Sequence, residues 1–184
     1  MMHELSLSIL DLVQNCIAAQ ANWVLLEIIE CSATDKLLFR ISDNGKGMDK
    51  ETQKKVLDPF VTSRTTRRVG LGLPLIDMTT KMCGGSFSIE SEVGKGTIIE
   101  ALFQLSHIDR PPMGKLADTI KSLIILNPEL DFNYKHIIDD AVFTVSTKEL
   151  VAELEGISLQ TPEVLLWLND YIKQGIANLS GGKK

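Results

Sequence analysis

The 184-residue sequence lacks a surplus of basic residues. It has 19 Lys and Arg against 24 Asp and Glu, which gives a formal net charge of −5 at pH 7. Proteins that bind nucleic acid generally need Lys and Arg gathered on one face to neutralise phosphates. The composition therefore argues against a general affinity for nucleic acid, although a local basic patch could still serve a single phosphate ligand.

Long hydrophobic runs are also missing. Nowhere do apolar residues continue for the ~20 positions that a membrane span requires. Near the N-terminus an acid, Glu4, stands where a signal peptide needs a basic segment, and Ser6, Ser8 and Asp11 interrupt the apolar residues that follow. We expect a cytoplasmic protein that neither crosses nor binds a membrane.

Cysteine and proline are scarce. The three cysteines, Cys16, Cys31 and Cys83, are odd in number and show no CxxC spacing. Buried free thiols in a reducing compartment are therefore favoured over a metal or redox site. With only six prolines and no low-complexity tract, disorder is expected only in the last few residues.

What is present over the first hundred residues is a series of helix patterns and of strand patterns that come in pairs. Apolar spacings of three and four predict a first helix from Leu5 to about Ala21. Further helices are predicted at 49–57 and 75–83, and strands at 23–30, 36–42, 86–91 and 97–104. This pattern predicts an α+β fold, a two-layer α/β sandwich with a mostly antiparallel sheet and helices on one face.

The pattern changes after Ser106, and we divide the chain there. Residues 1–106 form the first domain, residues 107–114 with two adjacent prolines form a connector, and residues 115–184 form a small C-terminal α/β appendage of unknown role. In the appendage we predict helices at 115–126, 148–154 and 162–177, strands at 131–137 and 141–146, and Thr147 as a helix N-cap.

Several turns of the first domain carry groups that suit a nucleotide. Asp43, at a strand end beside Gly45 and Gly47, can accept a hydrogen bond from an exocyclic amine, while the glycines let a flat base approach the backbone. Asn15 offers a neutral oxygen to a hard cation such as Mg²⁺. For the phosphates, a predicted helix start offers free backbone N–H groups at Gly70, Leu71 and Gly72. The positive charge comes from three basic side chains, Arg64, Arg67 and Arg68.

Five ordered motifs resemble the conserved boxes of the GHKL ATPase superfamily over about residues 5 to 105. They are Asp11-Leu-Val-Gln-Asn15, Asp43-Asn-Gly-Lys-Gly-Met48, Asp58-Pro-Phe-Val-Thr-Ser-Arg64, Gly70-Leu-Gly-Leu73 and Gly94-Lys-Gly-Thr97. The resemblance implies a Bergerat-type ATP-binding fold with ATP as ligand or substrate. The first motif looks closest to MutL, whereas the short segment from Thr62 to Gly70 is similar to the ATP lid of histidine kinases.

The resemblance also implies a role for individual residues. Asn15 is expected to ligate Mg²⁺, Asp43 to bind the adenine amine, and Thr97 to help hold the adenine. The remaining ATP-binding positions are the base-pocket residues Gly45, Gly47 and Met48, the lid residues Thr62, Ser63 and Arg64, and the phosphate-binding residues Gly70, Leu71 and Gly72.

Whether ATP is hydrolysed depends on Asp11. In the hydrolysing branch of the superfamily, a glutamate four residues before the magnesium asparagine is expected to activate water, and this spacing puts both groups on one side of a helix. Asp11 occupies that position and is one methylene shorter than glutamate. It is a candidate catalytic base with slow or absent intrinsic hydrolysis, or alternatively an indirect contact to Mg²⁺ or solvent.

Three functional hypotheses follow. In the first, the chain is a Mg-ATP-binding regulatory protein that acts on a protein partner as a protein kinase or an ATP-driven switch, without the phosphoacceptor hairpin of histidine kinases. In the second, it is an ATPase of the MutL or gyrase type with Asp11 as base. In the third, it is a nucleotide-sensing module with no chemistry. The sequence leaves a homodimer open in each case.

Overall fold

The computed structural model describes residues 4–57 and 72–181. The helices are α1 (Leu5–Ala18), α2 (Lys50–Lys55), α3 (Gly72–Met82), α4 (Leu116–Leu126), α5 (Thr147–Glu153) and α6 (Pro162–Gly181). The strands are β1 (Trp23–Cys31), β2 (Lys36–Asp43), β3 (Ser86–Glu92), β4 (Gly96–Gln104), β5 (Asp131–Ile138) and β6 (Ala141–Ser146).

The six strands form one sheet in the order β3-β4-β2-β1-β5-β6. Strands β1 and β5 are parallel, and every other neighbouring pair is antiparallel. Alternate residues of β1 and β2, such as Val24, Leu26 and Phe39, are buried on the face that the helices cover. The opposite face carries an ion-pair cluster in which Arg40 contacts Glu27 and Glu100. The predicted α+β sandwich with a mostly antiparallel sheet is confirmed.

Helix α1 ends three residues earlier than predicted. Its end is a Schellman motif, in which the N–H of Ala21 donates to the Cys16 carbonyl and the N–H of Gln20 donates to the Ile17 carbonyl. The motif requires a left-handed residue, and Gln20 supplies it with a φ of 64°. Because glycine usually occupies this position, the glutamine at position 20 did not indicate that the helix stops there.

Strands from both sides of the 107–114 segment belong to the same sheet, since β5 lies directly beside β1 with Trp23 opposite Asp131. Backbone hydrogen bonds also join the segment to α1, from the Leu5 N–H to the Pro112 carbonyl and from the Ser6 N–H to the Met113 carbonyl. The division of the chain into two domains stays a prediction. Of the predicted buried thiols, Cys16 and Cys83 are buried but Cys31, at the end of β1, is only partly so.

No helix in the described ranges is both long and apolar enough to cross a membrane.

Thr147 does not cap α5 as predicted. The helix begins at Thr147 itself, and its side chain is buried, with the hydroxyl accepting from the Phe132 N–H at 2.9 Å and donating to the Leu130 carbonyl at 3.1 Å. The hydroxyl therefore bonds to the backbone of Leu130, just before β5, and of Phe132, the second residue of that strand. The sequence could not show this contact because it spans 15 residues.

Replacing this hydroxyl tests its role. Thr147→Val keeps the side-chain shape but leaves the buried Phe132 N–H without its acceptor, which costs about 1–3 kcal/mol. We expect the free energy of unfolding, measured by urea denaturation, to fall by that amount. Ser88→Ala, which removes a hydroxyl at an exposed position of β3, is the control, and equal losses for the two variants would contradict the assignment.

Candidate nucleotide-binding site

Asp43 and Thr97 lie side by side at one end of the sheet. Asp43 is the last residue of β2, and its partners across the sheet are Val24 on β1 and Thr97 on β4. Both polar side chains are buried, at 8% exposure each. A carboxylate and a hydroxyl thus share one face and one register position.

The Asp43 carboxylate is oriented by the turn that follows it. Its Oδ1 accepts a hydrogen bond of 2.7 Å from the Gly45 N–H. On the α1 side it lies near the Cys16 thiol, whose pKa is raised by burial and, secondarily, by this carboxylate. A carboxylate has about four acceptor positions, so Asp43 keeps acceptor capacity for a ligand.

The turn after β2 needs glycine at two positions because other backbone approaches it closely. A Cβ on Gly45 would come within 2.8 Å of the Ala19 carbonyl oxygen. Gly47 has a φ of +64°, and a Cβ there would overlap the carbonyl oxygen of Glu92. The turn is therefore held between the end of α1 and the β3–β4 turn.

Asn44 anchors the same turn, a role that the sequence did not reveal. Its Oδ1 accepts hydrogen bonds of 3.0 Å from the backbone N–H groups of Asn22 and Trp23, and its Nδ2 donates to Asn22 Oδ1 at 2.6 Å. An asparagine directly after a strand is a turn signal, but the residue it would bind could not be identified from the sequence.

Ser91 is a second residue that the sequence analysis missed. Its hydroxyl accepts from the Met48 N–H at 2.8 Å and donates to the Gly96 carbonyl at 2.9 Å. The Thr97 hydroxyl, 2.9 Å away, therefore acts as donor to Ser91. Thr97 keeps its acceptor lone pairs, and its position is set by the Met48 backbone through Ser91.

Gln53 on α2 completes this network. Its Nε2 donates to the carbonyls of Met48 and Ser91, at 3.0 and 2.7 Å. Helix α2 is thereby joined both to the turn that carries Gly47 and to strand β3.

Asp11 lies at the other end of the site. A Cβ on Gly72, the first residue of α3, would overlap Asp11 Oδ2, so the carboxylate packs directly against the start of that helix. Burial raises the pKa of Asp11. The N-terminus of a helix favours a negative charge, so this is a position at which a carboxylate or a phosphate is stabilised.

Helix α1 connects the two ends. Asp11 contacts the start of α3, and Ala19 contacts Gly45, eight residues or about 12 Å further along the helix. Asn15, partly buried, lies halfway between them. The structure thus brings Asp43, Thr97, Gly45, Gly47 and Met48 together at one end, and Asp11 and Gly72 at the other.

The remaining predicted residues fall in residues 58–71. Thr62, Ser63, Arg64, Gly70 and Leu71, with Arg67 and Arg68, lie outside the described residues. Their assignment to a lid and to phosphate binding stays a prediction.

Comparison with known families agrees with this geometry. Residues 3–107 match the family described as histidine kinase-, DNA gyrase B-, and HSP90-like ATPase. The match covers more than half of the chain and contains every residue of the candidate site. The chain belongs to this ATPase family.

Individual relatives match about half of this chain. Sporulation kinase D of Bacillus subtilis (strain 168) is 33% identical over 98 residues, which are 53% of this chain and 19% of that kinase. Sporulation kinase C of the same organism is 28% identical over 96 residues, or 52% and 22%. The chain thus spans about a fifth of the length of these kinases.

Structural similarity covers more of this chain than the sequence matches do. The Aquifex aeolicus MutL ATPase domain, solved in complex with ADP, is similar over 100% of this chain and 99% of its own, with a TM-score of 0.52 at 17% identity. At this identity the likeness concerns the fold alone.

The tight turn gives a testable pair of variants. Gly47→Ala imposes both a left-handed residue and an overlap with Glu92, so we expect it to lower the free energy of unfolding by more than 2 kcal/mol. Gly94→Ala is the control, because Gly94 has a φ of +79° but nothing within 4 Å of its Cβ position. It should cost only about 1 kcal/mol. Equal losses in urea denaturation would contradict the described packing of the turn.

Proposed function

We propose that this protein binds Mg-ATP and uses it to regulate a partner protein, either as a protein kinase or as an ATP-driven switch. The observation that carries the proposal is the buried Asp43 carboxylate, held beside Thr97 at the end of the sheet and next to a turn that only glycine allows.

The Asp43 end suits adenine. A carboxylate is an acceptor only, so it pairs with the exocyclic amine of adenine and not with the carbonyl that guanine carries at the same position. The Thr97 hydroxyl, which donates to Ser91, offers an acceptor close to the same carboxylate. The glycines at 45 and 47 keep side chains away from the plane of the base.

The Asp11 end suits phosphates and a metal ion. Helix α3, of eleven residues, begins at Gly72 beside Asp11. Backbone N–H groups at a helix start bind anions. Asn15 presents an amide oxygen on α1, one turn from Asp11, and such a ligand fits Mg²⁺, which prefers oxygen ligands and leans on substrate phosphates. Asn15 would hold the ion, which would neutralise phosphate charge when bound.

The regulatory part of the proposal is supported by the relatives. The family includes the sporulation kinases matched here, and the MutL domain was solved with ADP. Transfer to a protein partner is inferred from the two kinases, and nucleotide binding from the ATPase family to which residues 3–107 belong.

Asp43→Asn tests the adenine end. The Gly45 N–H would keep the amide oxygen at the Oδ1 position, so the new NH₂ group would face the base as a second donor. We expect ATP affinity, measured by isothermal titration calorimetry with Mg²⁺, to fall at least tenfold, or about 1.4 kcal/mol.

Two controls accompany this measurement. Asp140→Asn, in the exposed β5–β6 turn, should leave ATP affinity unchanged. GTP should bind the wild-type protein at least tenfold more weakly than ATP. Unchanged ATP affinity in Asp43→Asn would reject the assignment of the site.

A second candidate, an ATPase with Asp11 as base, is favoured by one observation. Asp11 packs at the start of α3, and burial raises its pKa. A carboxyl whose pKa lies closer to neutrality is a better general base than an ordinary aspartate. Its shorter side chain argues for slow turnover.

Turnover by the purified protein separates the two candidates. The regulatory proposal predicts Mg-ATP binding with little phosphate release in the absence of a partner. An ATPase predicts turnover that falls as the pH is lowered through a pKa above the usual aspartate range, since the base must be ionised. In that case Asp11→Asn abolishes turnover and leaves ATP affinity intact. Rapid phosphate release by the wild-type protein would contradict the regulatory proposal.

A further inference from the structure

The two edges of the sheet differ in how they are protected. Edge strand β3 carries Glu90 and Glu92, both exposed, and such charges discourage pairing with another strand. The opposite edge strand, β6, reads Ala-Val-Phe-Thr-Val-Ser and contains no charge, no proline and no glycine. Across residues 4–57 and 72–181, no strand pairs with the outer side of β6.

The register of the β5–β6 hairpin shows which backbone groups face outward. Asp139 and Asp140 form a two-residue turn, so Ile138 and Ala141 make the first hydrogen-bonded pair. Hydrogen-bonded and non-bonded pairs alternate in an antiparallel ladder. The N–H and C=O groups of Val142, Thr144 and Ser146 therefore point away from β5.

Large aromatic side chains stand beside this edge. Trp167 and Tyr171 on α6 stack with ring centroids 5.2 Å apart, and they are 45% and 38% exposed. Tyr171 also contacts Phe143 of β6, at 5.5 Å between centroids. Exposed aromatic residues next to a free strand edge are typical of an interface, where Trp and Tyr contribute most of the binding energy.

We propose that β6 pairs antiparallel with β6 of a second copy of this chain, around a two-fold axis at Thr144. The six-stranded sheet then continues into the partner copy as twelve strands, and the aromatic pair of each copy is covered at the same junction. This surface lies on the far side of β1 and β5 from the Asp43 site, and it does not depend on nucleotide.

The side chains of β6 suit pairing with themselves. The outward-facing register sets Thr144 opposite Thr144 and Val142 opposite Ser146 of the partner copy. A Thr–Thr pair across two strands is favourable, whereas like charges in that position are destabilising. An uncharged strand therefore meets its own copy without repulsion, which β3 could not do with its two glutamates.

The mass of the 184-residue chain in solution tests the proposal. Sedimentation equilibrium of the wild type should give a dimer of 20.3 kDa chains. Thr144→Lys sets two ammonium groups opposite each other, and it should weaken the dimer at least tenfold. Ser88→Lys, at an exposed position of the β3 edge, should leave it unchanged. Native-like far-ultraviolet circular dichroism spectra would show that both variants fold.

Crosslinking tests the register. In a Cys31→Ser background, Thr144→Cys should place two Cα atoms about 5.5 Å apart across the axis, so a short bis-maleimide should join two chains. Ser88→Cys should remain a single chain. A wild type that is monomeric at every concentration would overturn the proposal, and it would leave β6 to receive an extended segment of another protein instead. A dimer that Thr144→Lys leaves intact would overturn it too.

Discussion

The register of β2 against its two neighbours determines most of what surrounds the candidate nucleotide site. It ends β2 at Asp43 with Thr97 directly opposite, and it brings the β3–β4 turn against Gly47. A one-residue slip would move the Asp43 carboxylate to the other face of the sheet. Asn44, Ser91 and Gln53 maintain this register with hydrogen bonds to the backbone of the flanking segments.

Helix α1 carries the second constraint, because one rigid helix reaches both ends of the site. Ala19 contacts the base-side turn and Asp11 contacts the start of α3, so the distance between the two ends follows from helical geometry. The C-terminal half supports this arrangement. Strand β5 covers the free side of β1, and α4 packs against α1, which places the helix that carries Asp11 and Asn15 between neighbours on both sides.

The sequence predicted the helices and strands and the family, because periodicity and ordered motifs are local signals. The resemblance assigned Asp43, Gly47 and Thr97 to one nucleotide site, and the fold brings Asp43 beside Thr97, but their role in binding stays a prediction. The sequence missed Ser91, Asn44 and the Thr147 contact, since each depends on which distant backbone group comes close. The same reason applies to the parallel β1–β5 pairing, which joins segments about a hundred residues apart.

The central claim, that Asp43 binds the adenine of Mg-ATP, is tested most directly by a crystal structure with Mg²⁺ and a non-hydrolysable ATP analogue. We predict the adenine amine within hydrogen-bond distance of the Asp43 carboxylate and the phosphates between Asn15 and the start of α3. A nucleotide bound elsewhere, or an adenine that does not contact Asp43, would contradict the account.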